Sequence, residues 1–304
     1  MKNRLWAVIP AFALLLAGCS QTPAEEENLH ILATTYPVYL FTTALTEGID
    51  EVEVSLLVNS QTSCLHDYTL TVKDMKAIEK ADIIVMNGAG LEEFMEDALA
   101  TSDAVVIDCS EGVELLPTLE HHGHDGHDHE EEYDPHFWME PERACQMVNN
   151  IAQGLFPLLP PQSGNPAVQD FSARWTGTDT AIDTILYKQD TSPLTGQKFI
   201  TFHDGFQYFA QALGLDLLKA IEEEEGATAS AAEIKEVVAL IEEYHIPAIF
   251  VEKNGSSATA EVIARETGCG VYELDMLMSG DGSGIQAYLD AMSRNLETIL
   301  EALP

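Results

Sequence analysis

The feature that most constrains this chain is a strand–helix pattern that occurs twice. Residues 29–35 read as a strand, with a helix through 40–45; residues 199–202 read as a strand, with a helix through 206–213. Strand-like runs follow at 52–58 and 215–221. Each is succeeded by an amphipathic helix, with Val72, Met75 and Ile78 on one face in the first half and Ile234, Val237, Val238 and Ile241 in the second. Ser230 and Glu233 have the spacing of a capping box and fix where the second of these helices begins. Two short apolar runs then end in Asn-Gly, at Asn87-Gly88 and Asn254-Gly255, before a further helix and strand in each half, the strands at 105–107 and 271–274. Strands alternating with helices imply parallel sheets covered on both faces. Two such runs imply an α/β protein of two Rossmann-like lobes.

Between the runs, Asn165 and Pro166 suit a helix start, and Val168, Phe171, Trp175, Ile182 and Ile185 make an apolar stripe. Gly177 weakens the middle of that helix, and Pro193 and Gly196 end it. The expected organisation is an N-terminal lobe over 29–164, a single helical connector over 165–190 and a C-terminal lobe over 191–304. A ligand site in such a protein lies in the cleft between the lobes, at the carboxyl ends of the strands.

The N-terminus reads as an export signal. Lys2 and Arg4 precede an apolar run over 5–17 that is too short for a permanent membrane span. It ends in Leu16, Ala17, Gly18 and Cys19, which resembles a bacterial lipobox. Residues 1–18 would then be removed, Cys19 lipidated, and residues 19–28 left as a polar tether. The expectation is a protein outside the cytoplasmic membrane, held there by its lipid. A formal net charge of −37 excludes binding to nucleic acid through the phosphate backbone, which needs a basic surface. The acidity reads as solubility and mutual repulsion more than as a cation trap, because the acidic residues are scattered and salt screens surface fields. After Cys19, an oxidising exterior permits disulfides among Cys64, Cys109, Cys145 and Cys269, with three possible pairings.

Histidine carries the chemistry. Five of the ten lie within 121–129, at His121, His122, His124, His127 and His129, in a tract with no apolar residue. Such a loop cannot pack a core and is expected to bind borderline divalent ions weakly, in several arrangements. The ordered site comes from elsewhere. His66 follows the 52–58 strand, His203 follows 199–202, Asp275 follows 271–274, and His136 lies between the His-rich loop and a helix. Three imidazoles and one carboxylate form a tetrahedral set suited to Zn2+. Taken singly, a histidine after a strand is more often a hydrogen-bonded loop residue. Four such residues at corresponding ends of two similar halves argue for a site.

From about Ile31 to the C-terminus the sequence resembles the solute-binding proteins of zinc and manganese ABC importers. The resemblance rests on His66-Asp67-Tyr68 with the 71–85 segment behind it, on Asp134–Trp138, on Phe202–Phe209, on Glu252 after its strand, on 274–277 and on the closing helix over 288–300. It implies His66, His136, His203 and Asp275 as the metal ligands. Members that prefer manganese commonly carry Glu where His203 stands, so His203 and the His-rich loop resemble the zinc branch, with a manganese- or iron-binding receptor of the same fold (Mn2+ or iron as the metal) as the alternative. The first-ligand loop departs from the family's Pro-Gly-x-x-Pro-His pattern and places Cys64 two residues before His66. Cys64 is a candidate neighbour of the metal, or else a disulfide or buried thiol, since a fifth donor would crowd a tetrahedral ion. Glu252 is a candidate for the layer around the ligands.

The resemblance further implies a monomeric receptor that hands its metal to a membrane permease driven by an ATPase on another chain. No phosphate-binding Gly-Lys-Ser/Thr loop occurs here. A zinc hydrolase is the alternative from another class. It would need an open coordination position and a general base, for which Glu252 or Asp204 would serve, but four protein ligands close the shell and no His-Glu-x-x-His motif is present. A surface adhesin is a third reading, compatible with the first. No enzyme activity is expected.

Overall fold

A computed structural model describes residues 28–59, 65, 68–119, 133–160, 170–221 and 229–303. The leader, Cys19, Cys64, His66, the His-rich loop and the residues proposed to cap the connector at 165 and 166 lie outside the described residues.

Two four-stranded parallel sheets are present, as the alternating pattern requires. The first contains β1 (Leu29–Ala33), β2 (Val52–Leu56), β3 (Ile83–Met86) and β4 (Val105–Asp108), in the order β2-β1-β3-β4. The second contains β5 (Lys198–Phe202), β6 (Asp216–Ala220), β7 (Ala248–Glu252) and β8 (Gly270–Leu274), in the order β6-β5-β7-β8. The two orders are the same, so the repetition in the sequence is a repetition of topology. The inner strands β3 and β7 are largely apolar because helices cover both faces: Ile83, Ile84 and Val85 are fully buried, as are Ala248, Ile249 and Phe250. On the edge strand β4, Val105 and Val106 are exposed.

Helices α1 (Tyr36–Thr46), α2 (Val72–Lys80) and α3 (Glu96–Leu99) belong to the first half. Helices α4 (Pro141–Leu155) and α5 (Phe171–Asp183) follow, then a 3-10 turn at Ile185–Lys188. The second half carries α6 (Gln207–Leu213), α7 (Ala231–Tyr244), α8 (Ala258–Thr267) and α9 (Ile285–Ala302). The Ser230 hydroxyl accepts from the Glu233 amide and the Glu233 carboxylate accepts from the Ser230 amide, so α7 begins at the expected box. Thr71 and Asp74 form a second box at the start of α2. On α2 the expected apolar face is only partly used. Ile78 is buried, but Val72 and Met75 stay exposed. Val72 precedes Ile78 by about two turns and Met75 by about one, and Met75 instead lines a surface groove with Tyr68, Leu70 and Phe94.

Among the described residues, α4 and α5 lie in sequence between the two sheets. Phe171, Ile182 and Ile185 are buried as the stripe predicts, and Trp175 is half-buried, donating to Asn149 Oδ1 at 2.8 Å. One apolar core runs through both halves. Helix α9 returns to the first half, where Tyr288 packs edge-on against Phe41 of α1 with ring centres 5.0 Å apart. The loop before α9 docks on α1 as well: the Gly282 amide donates to the Tyr36 hydroxyl at 3.1 Å and the Gly284 amide to Thr43 Oγ1 at 2.8 Å. Gly280 is required there, because a Cβ would fall 2.5 Å from the Tyr36 ring. Contacts of this kind tie the halves together and leave little freedom for a wide hinge.

Candidate metal centre

His136 stands at the start of the 3-10 turn Phe137–Met139 and is 4 % exposed. Its Nδ1 lies 2.8 Å from Asp134 Oδ1, which also accepts from the His136 amide at 2.9 Å. A carboxylate only accepts, so Nδ1 carries the proton and the Nε2 lone pair is left for a metal. Burial alone would lower the His136 pKa. The Asp134 hydrogen bond and the negative charges of Asp134, Asp204 and Glu252 outweigh it and hold the pKa above the ordinary histidine value.

Both halves pin this turn. The Tyr208 hydroxyl, on α6, donates to the Asp134 carbonyl at 2.7 Å and accepts from the Leu116 amide at 2.9 Å. From the first half, Asn87 Nδ2 donates to the Pro135 carbonyl at 3.0 Å. Asn87 is in turn held by buried Glu92, whose carboxylate accepts from the amides of Asn87 and Gly88 and from the Thr34 hydroxyl. The ends of β1 and β3 are thereby linked to the loop that carries His136.

His203 follows β5 directly and is 6 % exposed; its carbonyl accepts from the Thr201 hydroxyl. The His136 and His203 rings are 5.5 Å apart between centres and almost perpendicular, at 88°. A Zn–N bond of ~2.0–2.1 Å and the size of an imidazole put each ring centre about 3.2 Å from the ion, so two tetrahedral ligands have centres about 5 Å apart. The observed spacing fits one shared ion. Gly205 makes the approach possible: a Cβ there would lie 2.3 Å from Met276 Sδ and 3.1 Å from His203 Cδ2. Gly205→Ala is expected to push these groups apart and weaken zinc binding by about tenfold, by analogy with other supports around metal ligands. Calorimetry on the variant checks this, and an unchanged affinity would show that the contact does not set the His203 position.

Asp275 follows β8. Asn295 of α9 holds its backbone in both directions, accepting from its amide at 2.8 Å and donating to its carbonyl at 2.7 Å. The carboxylate is turned toward Lys253 Nζ, 3.0 Å from Oδ2, and the Leu277 amide, 2.8 Å from Oδ1. The structure thus brings His136 and His203 together and sets Asp275 next to Glu252 with its carboxylate engaged elsewhere. Among the described residues no group of three or more His, Cys, Asp or Glu side chains is arranged to hold a metal. Glu252, at the end of β7, is 2 % exposed, and neither of its oxygens has a hydrogen-bond partner. Burial pushes its carboxyl up to about 7; His136 lowers it, Asp275 raises it, and the Asn254 amide lowers it slightly without reaching hydrogen-bond geometry.

Cys109, Cys145 and Cys269 are free thiols, so none of the described cysteines forms a disulfide with another. Asn87, Lys253 and Asn295 are site residues that the sequence did not single out, and Asp134 entered only as part of the Asp134–Trp138 motif, without its role on His136. Its spacing of two from His136 is the local signal for that role.

The fold is that of a two-lobed α/β solute-binding protein. It matches a crystal structure of ZnuA with a TM-score of 0.75, at 24 % identity, over 91 % of this chain and all of that one. Residues 31–302 match the family described as zinc-uptake complex component A, periplasmic, and the chain belongs to that family. It is 29 % identical to the zinc-binding lipoprotein AdcA of Streptococcus pneumoniae, over 94 % of this chain and 58 % of that protein. To the high-affinity zinc uptake system protein ZnuA of Bacillus subtilis it is 27 % identical, over 97 % of this chain and 96 % of the relative. The chain therefore spans little more than half the length of the AdcA relatives and nearly all of ZnuA.

Proposed function

We propose that this protein captures zinc outside the cytoplasmic membrane and delivers it to the permease of an ABC importer, whose ATPase is a separate chain. The observation that carries this reading is the buried pair His136 and His203, with ring centres 5.5 Å apart and the Asp134 carboxylate fixing the tautomer of His136. His66 and Asp275 complete the proposed shell, Asp275 by turning from Lys253 to the ion. Zinc is the cargo, and four protein ligands around it leave no position for catalysis. The His-rich segment would add weak sites near the entrance. Cys19 would carry the lipid that keeps the protein at the membrane. The lobes would span residues 29–164 and 191–304, with 165–190 connecting them, and the protein would act as a monomer.

A zinc titration followed across pH tests the reading. Imidazole must be neutral to bind zinc, so protons compete with the metal as pH falls. Because the His136 pKa is raised, competition begins at a higher pH than for an ordinary histidine. One tight ion per chain is expected at about pH 7.5, with affinity falling more than about tenfold by pH 5.5. An affinity that stays flat over that interval contradicts a histidine-rich site.

A further inference from the structure

Glu252 is the least satisfied buried charge-bearing side chain near the proposed centre. It ends β7, an inner strand, and neither carboxylate oxygen has a hydrogen-bond partner. The loop after it folds back, with the Gly255 amide donating to the Glu252 carbonyl at 2.9 Å. A Cβ on Gly255 would come within 3.6 Å of Glu252 Oε2, so the carboxylate is enclosed on that side too. Lys253 is adjacent in sequence, but its ammonium is directed to Asp275. A carboxylate held this way is unfavourable unless it is neutralised or given a cation.

The charge of the proposed shell supplies the reason. Three neutral imidazoles and one carboxylate around Zn2+ leave a net charge of +1 in a buried pocket. Glu252 pairs in register with Leu274, the residue before Asp275, and interacts electrostatically with both His136 and Asp275, so it lies beside that excess charge. We propose that Glu252 is a charge-balancing residue beside the zinc shell, outside the four ligands, whose carboxylate supplies the second negative charge needed to neutralise the ion. The proposal rests on the reading that His136 and His203 bind the metal.

The test is Glu252→Gln, which keeps size and shape and removes the charge. Two effects of opposite sign are expected. Without metal the variant should be as stable as the parent or more so in urea denaturation, because an unpartnered buried carboxylate has become a neutral amide. Its zinc affinity should fall about tenfold to a hundredfold, the range found for groups that support metal ligands. Zinc affinity within about twofold of the parent overturns the proposal. A loss of metal-free stability also overturns it, since that would make Glu252 a structural residue. His203→Ala measured alongside separates the two claims. If both variants bind zinc normally, the centre itself is misplaced; if only His203→Ala is impaired, the centre stands and the role of Glu252 falls.

Discussion

Replacing His203 with Ala is expected to weaken zinc binding by about a hundredfold or more. Groups that merely support a metal ligand are worth about tenfold to a hundredfold, and a ligand itself should exceed that. A hundredfold corresponds to about 3 kcal/mol, at roughly 1.4 kcal/mol per factor of ten. His203 is buried, and its ring stands 5.5 Å from that of His136. The neighbouring Gly205 has no side chain to take its place. Competition against a chelator of known affinity measures the effect. Unchanged tight binding in the variant would remove His203 from the site.

The second large effect concerns stability. Trp138 is fully buried and links the halves by both its side chain and its backbone. Its indole Nε1 donates to the Met276 carbonyl at 2.9 Å, and its own carbonyl accepts from the Tyr288 hydroxyl at 2.8 Å. Trp138→Ala should therefore cost ~3–5 kcal/mol of unfolding free energy, the range for deleting a large buried aromatic. The indole hydrogen bond is lost as well. Zinc affinity should also fall, because Met276 adjoins Asp275 and the Trp138 ring packs 5.2 Å from that of His136. Urea denaturation of the metal-free protein gives the first quantity. A loss below about 1 kcal/mol would mean that the halves are held by contacts other than this one.

Much of the fold was legible because local signals and tertiary roles agree. The runs at Ile83–Met86 and Ala248–Glu252 are apolar at almost every position, which is what an inner parallel strand needs. Ser230 and Glu233 set a helix start by a bond between near neighbours, so sequence spacing alone reveals it. The orientation of α2 was not legible, because periodicity does not say how far a helix extends beyond the sheet it covers. The site divides in the same way. His136 and His203 lie at chain positions where α/β folds gather ligands, and the structure brings them together. The direction of the Asp275 carboxylate depends on Lys253, a residue 22 positions earlier on a neighbouring strand end, and no sequence period encodes that. Trp138 and Met276 are 138 positions apart, so the bond that welds the halves is visible only once the sheets are placed.

Diffraction from crystals of the zinc-loaded protein, recorded on both sides of the zinc absorption edge, tests the central claim most directly. The account predicts one dominant anomalous peak between the His136 and His203 rings, with Asp275 and His66 completing its shell and Glu252 close by. A dominant peak elsewhere, or none between those two histidines, would contradict it.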